Sequence, residues 1–291
     1  MIGVERVERI LRCVFASEKL ENQRPLSAVL IGPSDAGKSQ LLMKARPPWA
    51  RVLNDFSFAP LIHMMDEFYD KGKGGKHLTV IVPDFNAVLS HKPSVASLTA
   101  AALLSLLAEG LSEIPGLEGE SKLRVDKLKD LGLTISLITA MTPAMFRSKR
   151  GKWRDTGLLR RILPINYSYT PGTVADISLS IASGHDRVEY GSDFYPYPAQ
   201  RQKVHLAGAS AAAIQAIASN VLPQLSWAFV DKEKKQLNVK GQDLPFSIHK
   251  TFRTFARANA LLHGRATVDE TDVCAVADLA KFTRYDRPEE V

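Results

Sequence analysis

Ala28-Val29-Leu30-Ile31-Gly32-Pro33-Ser34-Asp35-Ala36-Gly37-Lys38-Ser39 is the stretch whose reading decides the fold. Its first four residues are a short apolar run, which reads as a buried strand. Its last eight fit G-x-x-x-x-G-K-[ST], and Lys38 to Lys44 reads as a helix that Pro47-Pro48 stops. Strand, loop and helix in that order are the context in which this motif cradles phosphate. The glycines let backbone N–H groups converge on phosphate oxygens, and the helix N-terminus adds a dipole that favours an anion. Lys38 can then reach the β and γ phosphates, and the Ser39 hydroxyl can ligate magnesium. The expected ligands are ATP and Mg2+, held by Gly32, Pro33, Ser34, Asp35, Ala36, Gly37, Lys38, Ser39 and the following Gln40.

Downstream, Leu78-Thr79-Val80-Ile81-Val82 is the clearest strand, and it runs into Pro83-Asp84-Phe85. An acid at such a strand end lies beside the phosphate loop and orients magnesium and its waters. Hydrolases of this type place Glu directly after that Asp, as base for the attacking water, but position 85 is Phe. A second alignment puts Asp84 in the Glu position and leaves Pro83 where the magnesium acid belongs. Either way one carboxylate stands where two are usual. We take Asp84 as the magnesium-side acid; hydrolysis is then slow, or its base comes from elsewhere, with Asn86, Asp66 and Glu67 as candidates.

Working outward, residues 4–15 carry one apolar helical stripe, Ala50 to Asn54 reads as a second strand, and Pro60 to Tyr69 as a helix. Lys71 to Lys76 reads as a turn, Ser94 to Leu111 as a helix, and 112–130 as loop plus short helix. Leu133 to Ile138 is a further strand entering Thr139-Ala140-Met141-Thr142-Pro143, and 147–154 is a basic loop. Leu158 to Ile162 is a short helix and Leu163 to Tyr169 a last strand. The alternation predicts an α/β fold with a parallel, doubly wound sheet. Helices follow at 208–220, 246–263 and 270–284, the last capped by Asp269 with Asp272 in a capping box. The expected organisation is an N-terminal helix (1–24), an α/β domain (25–172), a linker (173–205) and a small all-helical lid (206–291).

A formal net charge of +7 favours anionic partners, nucleic acid foremost. Two distant cysteines, Cys13 and Cys274, give no disulfide framework and fit a reducing cytoplasm. The longest apolar runs are too short to span a bilayer, so no membrane partner is expected. The histidines show no metal spacing.

With these features in this order, the chain resembles the AAA+ ATPases over roughly residues 25–285. Its C-terminal part looks most like the MoxR and minichromosome-maintenance branches, on Ala260-Leu261-Leu262-His263-Gly264-Arg265-Ala266-Thr267-Val268 followed by Asp272-Val273. The resemblance implies that Thr142, ahead of Thr139, is the polar sensor of the γ-phosphate at the end of the fourth strand. Gly157-Leu158-Leu159-Arg160-Arg161-Ile162 resembles the segment whose arginine enters a neighbouring subunit's ATP site, which makes Arg161 the finger. The lid's sensor arginine is not at its expected place near Ser247, and Lys250 and Arg253 are the substitutes close by. The resemblance also implies a homo-oligomeric ring, often a hexamer, with ATP between subunits.

For a macromolecular partner, Lys149, Arg150, Lys152 and Arg154 could neutralise phosphates while Trp153 stacks on a base. The same stretch reads equally as a solvated loop or a subunit interface, and Lys122 to Lys129 reads rather as a charged amphipathic helix. Tyr190, Phe194, Tyr195 and Tyr197 suggest a docking core. Three functions stay open: an ATPase remodelling DNA or a DNA-bound protein complex, a slowly hydrolysing nucleotide switch, and a MoxR-like protein-remodelling chaperone.

Overall fold

The computed structural model describes residues 2–70, 77–107, 119–130, 132–155, 157–184, 196–225, 229–230, 237–238, 245–285 and 287–291. In chain order, α1 (Glu5–Ala16), β1 (Ala28–Ile31) and α2 (Lys38–Lys44) are followed by β2 (Arg51–Val52), α3 (Phe58–Asp70) and β3 (His77–Val82). Next come α4 (Phe85–Leu89), α5 (Pro93–Leu106), α6 (Gly119–Asp130), β4 (Thr134–Met141), α7 (Pro143–Asp155) and β5 (Leu163–Ser168). The chain continues through α8 (Pro171–Ala182), α9 (Gly208–Leu225), the short pair β6 (Phe229–Val230) and β7 (Leu237–Asn238), α10 (Pro245–Leu262), α11 (Glu270–Phe282) and β8 (Glu289–Glu290).

Every residue of β1 and of β4 is buried. Strands covered on both faces need no strict polar alternation: β1 is an unbroken apolar run, while β4 also buries Thr134, Ser136 and Thr139, with Ser136 and Thr139 donating to the Leu26 and Val82 carbonyls. The six strands form one parallel sheet in the order β2-β3-β4-β1-β5-β8. From β2 to β4 the chain steps inward from one edge; it then crosses β1 to reach β5. The loop leaving β1 therefore sits where the strand order reverses, outside the carboxyl ends of the strands, where open α/β sheets bind ligands.

Helices α9, α10 and α11 pack on one another, α1 packs on α10, and α11 touches β5. The stripe of α1 explains its contact: Val7, Ile10, Leu11, Val14 and Phe15 are all buried. Polar groups stitch this contact too. The Cys13 thiol donates to Asn259 (3.3 Å), the Asn259 amide donates to Asp272 (2.7 Å), and Arg265 donates to the same Asp272 oxygen (2.7 Å). At the other end of α1, Arg6 donates to both oxygens of Asp278 at 2.5 and 3.2 Å and lies 3.5 Å from Glu289 of β8. The expected capping box at the start of α11 is present, with Asp269 and Asp272 bonding each other's backbone N–H.

Three expectations need correction. The basic segment 147–154 is not a loop but most of α7, which starts at Pro143 and whose apolar Phe146 and Trp153 recur seven residues apart on a buried face. Residues 173–182, at the start of the expected linker, are helical: Thr170 caps α8, its hydroxyl accepting from the Thr173 N–H, and Pro171 supplies the preset φ of a first helical turn. Between α9 and α10 the helical part also carries the antiparallel β6–β7 pair. The turn expected at Lys71 to Lys76 lies outside the described residues, as do 108–118, Tyr190, Phe194 and Tyr195. Among the described residues no helix is long and apolar enough to cross a membrane.

Candidate nucleotide-binding site

The phosphate loop bends through two left-handed residues, Asp35 (φ 58°) and Gly37 (φ 63°). Glycine adopts that conformation freely, and aspartate is among the few side chains enriched in it. Alternation of right- and left-handed residues turns successive N–H groups to one side and makes an anion-binding hollow. Pro33, Ser34 and Asp35 are exposed, Ala36 is buried, and Gly37 is half-buried at the start of α2. The Ala36 N–H closes the turn on the Pro33 carbonyl (3.4 Å), and the Gly32 N–H holds the loop's entry to Met141 of β4 (3.3 Å).

Lys38 is half-buried and curls over the loop, donating to the carbonyls of Gly32 (3.0 Å) and Pro33. Burial lowers its pKa from the ordinary lysine value, and the carboxylates of Asp35 and Asp84 oppose that shift. A cation thus withdrawn from water is poised to gain from an arriving anion. Ser39 is exposed and its hydroxyl donates to the Pro83 carbonyl (3.3 Å), next to Asp84. The register explains that meeting. Val82 pairs with Thr139, and Met141 with Ile31, so two residues beyond Val82 Asp84 stands level with the end of β1. Lys38, Ser39 and Asp84 therefore share one edge of the sheet, and the donor set (a hydroxyl, a carboxylate and an oxygen-rich loop) suits a hard cation beside phosphates. Gln40 is exposed on α2.

Asp84 lies past the strand end as the cap of α4, accepting the Asn86 N–H at 2.9 Å. The next residue, Phe85, is buried and meets Trp153 edge-on, with ring centroids 5.8 Å apart. Position 85 thus faces the core, so the missing second carboxylate is a packing position here. Of the other base candidates, half-buried Asp66 is engaged by Lys127 (2.6 Å) and exposed Glu67 lies beside His63 (3.8 Å), both on α3.

Thr142 follows β4 directly, and its Oγ1 accepts the Met145 N–H (3.4 Å) at the start of α7, which leaves its own O–H to donate elsewhere. Thr139 is buried and its hydroxyl is committed to the Val82 carbonyl (2.7 Å), so of the two it is the one tied to the sheet.

Arg161 is exposed and held by its own Gly157 carbonyl (2.9 Å). Gly157 has φ 77°, and a Cβ there would come within 2.9 Å of the Arg161 guanidinium. Arg161 precedes Leu163, which pairs with Ala28 at the beginning of β1, whereas the phosphate loop leaves after Ile31. Four residues of strand, about 13 Å, separate Arg161 from the loop of its own chain. Lys250 and Arg253 are exposed on α10; among the described residues neither has a hydrogen bond or ion pair to the phosphate loop.

Trp153 is buried between Phe85 and Phe146 and offers no face to a base, which corrects its expected stacking role. Lys149 and Arg150 are half-buried on α7; the side chains of Lys152 and Arg154 lie outside the described residues. Sequence reading missed Tyr167 and Tyr169, whose hydroxyls both reach the loop (3.0 and 2.9 Å, to the Ala36 carbonyl); tyrosines two apart at a strand end were the available signal. A separate cleft of about 590 Å³ between α1, α10 and α11, lined by Arg9, Cys13, Phe255, Asn259 and His263 among others, contains none of the predicted nucleotide residues.

No family model and no curated protein matches the sequence. Among solved structures the chain is similar to a full-length MCM homolog from Methanopyrus kandleri, with a TM-score of 0.53 and 13% identity over 99% of this chain. It spans 57% of that protein's length. The likeness shows the fold alone: a parallel α/β sheet with its companion helices.

Proposed function

We propose that this protein is an oligomeric, nucleotide-dependent ATPase of the AAA+ type that acts on DNA or a DNA-bound protein complex. The observation that carries the reading is the meeting of Lys38, Ser39 and Asp84 around a loop with two left-handed residues, at the point where the sheet reverses. In it, loop N–H groups and Lys38 bind the phosphates of ATP, and Thr142 senses the γ-phosphate. Magnesium, with Ser39 and Asp84 as its protein-side holders, would neutralise charge on the β and γ phosphates. Arg161, at the amino end of the strands and so opposite its own loop, acts on a neighbouring subunit's nucleotide. Assembly is further supported by α8, which buries none of its residues and exposes Val174, Leu179 and Ile181.

The DNA part rests on the net charge, on the cations of α7 and on the likeness to an MCM homolog. It predicts that duplex or single-stranded DNA raises the steady-state ATPase rate at low salt, and that added salt removes the effect. An unchanged rate together with no DNA retention at low salt defeats this part while leaving the nucleotide site standing.

One observation favours a second reading, a nucleotide switch that barely hydrolyses: the residue after Asp84 is a core phenylalanine. Fast basal turnover that Asp84→Ala abolishes argues against the switch.

A further inference from the structure

We propose that Tyr167 and Tyr169 are positioning residues of the nucleotide site, their two hydroxyls holding the Ala36–Gly37 peptide so that its N–H faces the bound phosphates. This rests on the nucleotide reading above and deepens it.

The two tyrosines are two residues apart at the end of β5, so their side chains leave the strand on the same side. Their rings meet edge to face at 6.1 Å. Both hydroxyls donate to the Ala36 carbonyl, at 3.0 Å from Tyr167 and 2.9 Å from Tyr169. A carbonyl oxygen has two lone pairs, so this pair saturates it. Tyr167 is wholly buried and its ring backs the loop's first glycine, where a Cβ at Gly32 would stand 3.2 Å from it.

A trans peptide is planar, with its C=O and the following N–H pointing in opposite directions. Drawing the Ala36 carbonyl toward β5 therefore turns the Gly37 N–H away from it. That lock is needed because Gly37 tolerates either sign of φ, so nothing within the residue itself stops the peptide from flipping. The flip would put a carbonyl dipole where the hollow offers a donor. Burial pushes both phenols above their ordinary range, so both remain donors across the working pH range.

The test uses Tyr167→Phe, Tyr169→Phe and the double variant, which remove oxygens and keep the rings. Calorimetry with the magnesium complex of a non-hydrolysable ATP analogue gives Kd and sites per chain. Each single variant leaves one donor on the carbonyl and should stay within about threefold of wild type; the double variant should bind about tenfold or more weakly, with sites per chain unchanged. KM for ATP should rise in step while kcat holds. A merely structural role does the reverse, lowering sites per chain and kcat with Kd and KM unmoved, and overturns the proposal. So does a double variant that binds like wild type while Lys38→Ala does not. Wild-type protein that fails to bind the analogue overturns the nucleotide reading itself, and this proposal with it.

Discussion

In the proposed reading, single residues at this site divide into those that hold phosphate and those that act on it. Lys38 is drawn out of water against two carbonyls, and the proposed role for it is to meet phosphate charge. Asp84 is exposed beside the Ser39 contact, and Asp84→Ala should cut turnover about a hundredfold or more while nucleotide without magnesium still binds, as stopped-time product assays and equilibrium binding will show. Arg161→Ala should leave binding intact and lower turnover about 10³-fold in the assembled state, with assembly verified by light scattering. Normal turnover in an assembled Arg161→Ala protein removes the finger assignment. The motif residues were legible in sequence because their chemistry is local: eight consecutive positions build the loop. The tyrosines were not: their spacing of two at a strand end marks a shared side of the strand, but not the carbonyl more than 130 residues away that their oxygens reach.

At the level of elements, α7 shows why charge misled. Cations at Arg147, Lys149, Arg150, Lys152 and Arg154 read as solvated loop, but straight-chain cations are good helix formers. The helix is anchored by Phe146 and Trp153, which pack with Phe85 and Tyr285. Trp153→Ala should therefore cost about 3–5 kcal/mol in chemical denaturation. Trp153→Phe should leave DNA retention unchanged, whereas Arg147→Ala with Lys149→Ala should weaken it and flatten its salt dependence. Loss of DNA retention in a well-folded Trp153→Phe protein contradicts the buried assignment. The strands β1, β3 and β4 were readable because burial on both faces writes itself into composition. The one-turn α4, the edge pair in β8 and the end of β2 carry too few residues for periodicity to act on.

For the whole molecule, α11 and the last strand both close on the N-terminal helix through Arg6, which pairs with Asp278 of α11 and Glu289 of β8. Burial tends to raise the Asp278 pKa, but the hydrogen bonds and charges of Arg6 and Lys281 outweigh it and hold the carboxyl below its ordinary range. A carboxyl so lowered adds stability that is present above its unfolded pKa and is lost as pH falls through the folded one. Melting temperature should therefore drop on acidification more steeply in wild type than in Asp278→Asn. The same packing seals Cys13, whose thiol is pushed up to about 12 by burial, while Cys274 is exposed. Native protein should take up one iodoacetamide per chain, at Cys274, and two only when unfolded. The account's central claim is tested most directly by calorimetric titration of the whole chain with a non-hydrolysable ATP analogue and magnesium, alongside Lys38→Ala. We expect saturable binding at one site per chain, weakened in Lys38→Ala by about tenfold to a hundredfold. No binding by the wild type, or equal binding by the variant, would contradict a phosphate grip centred on Lys38.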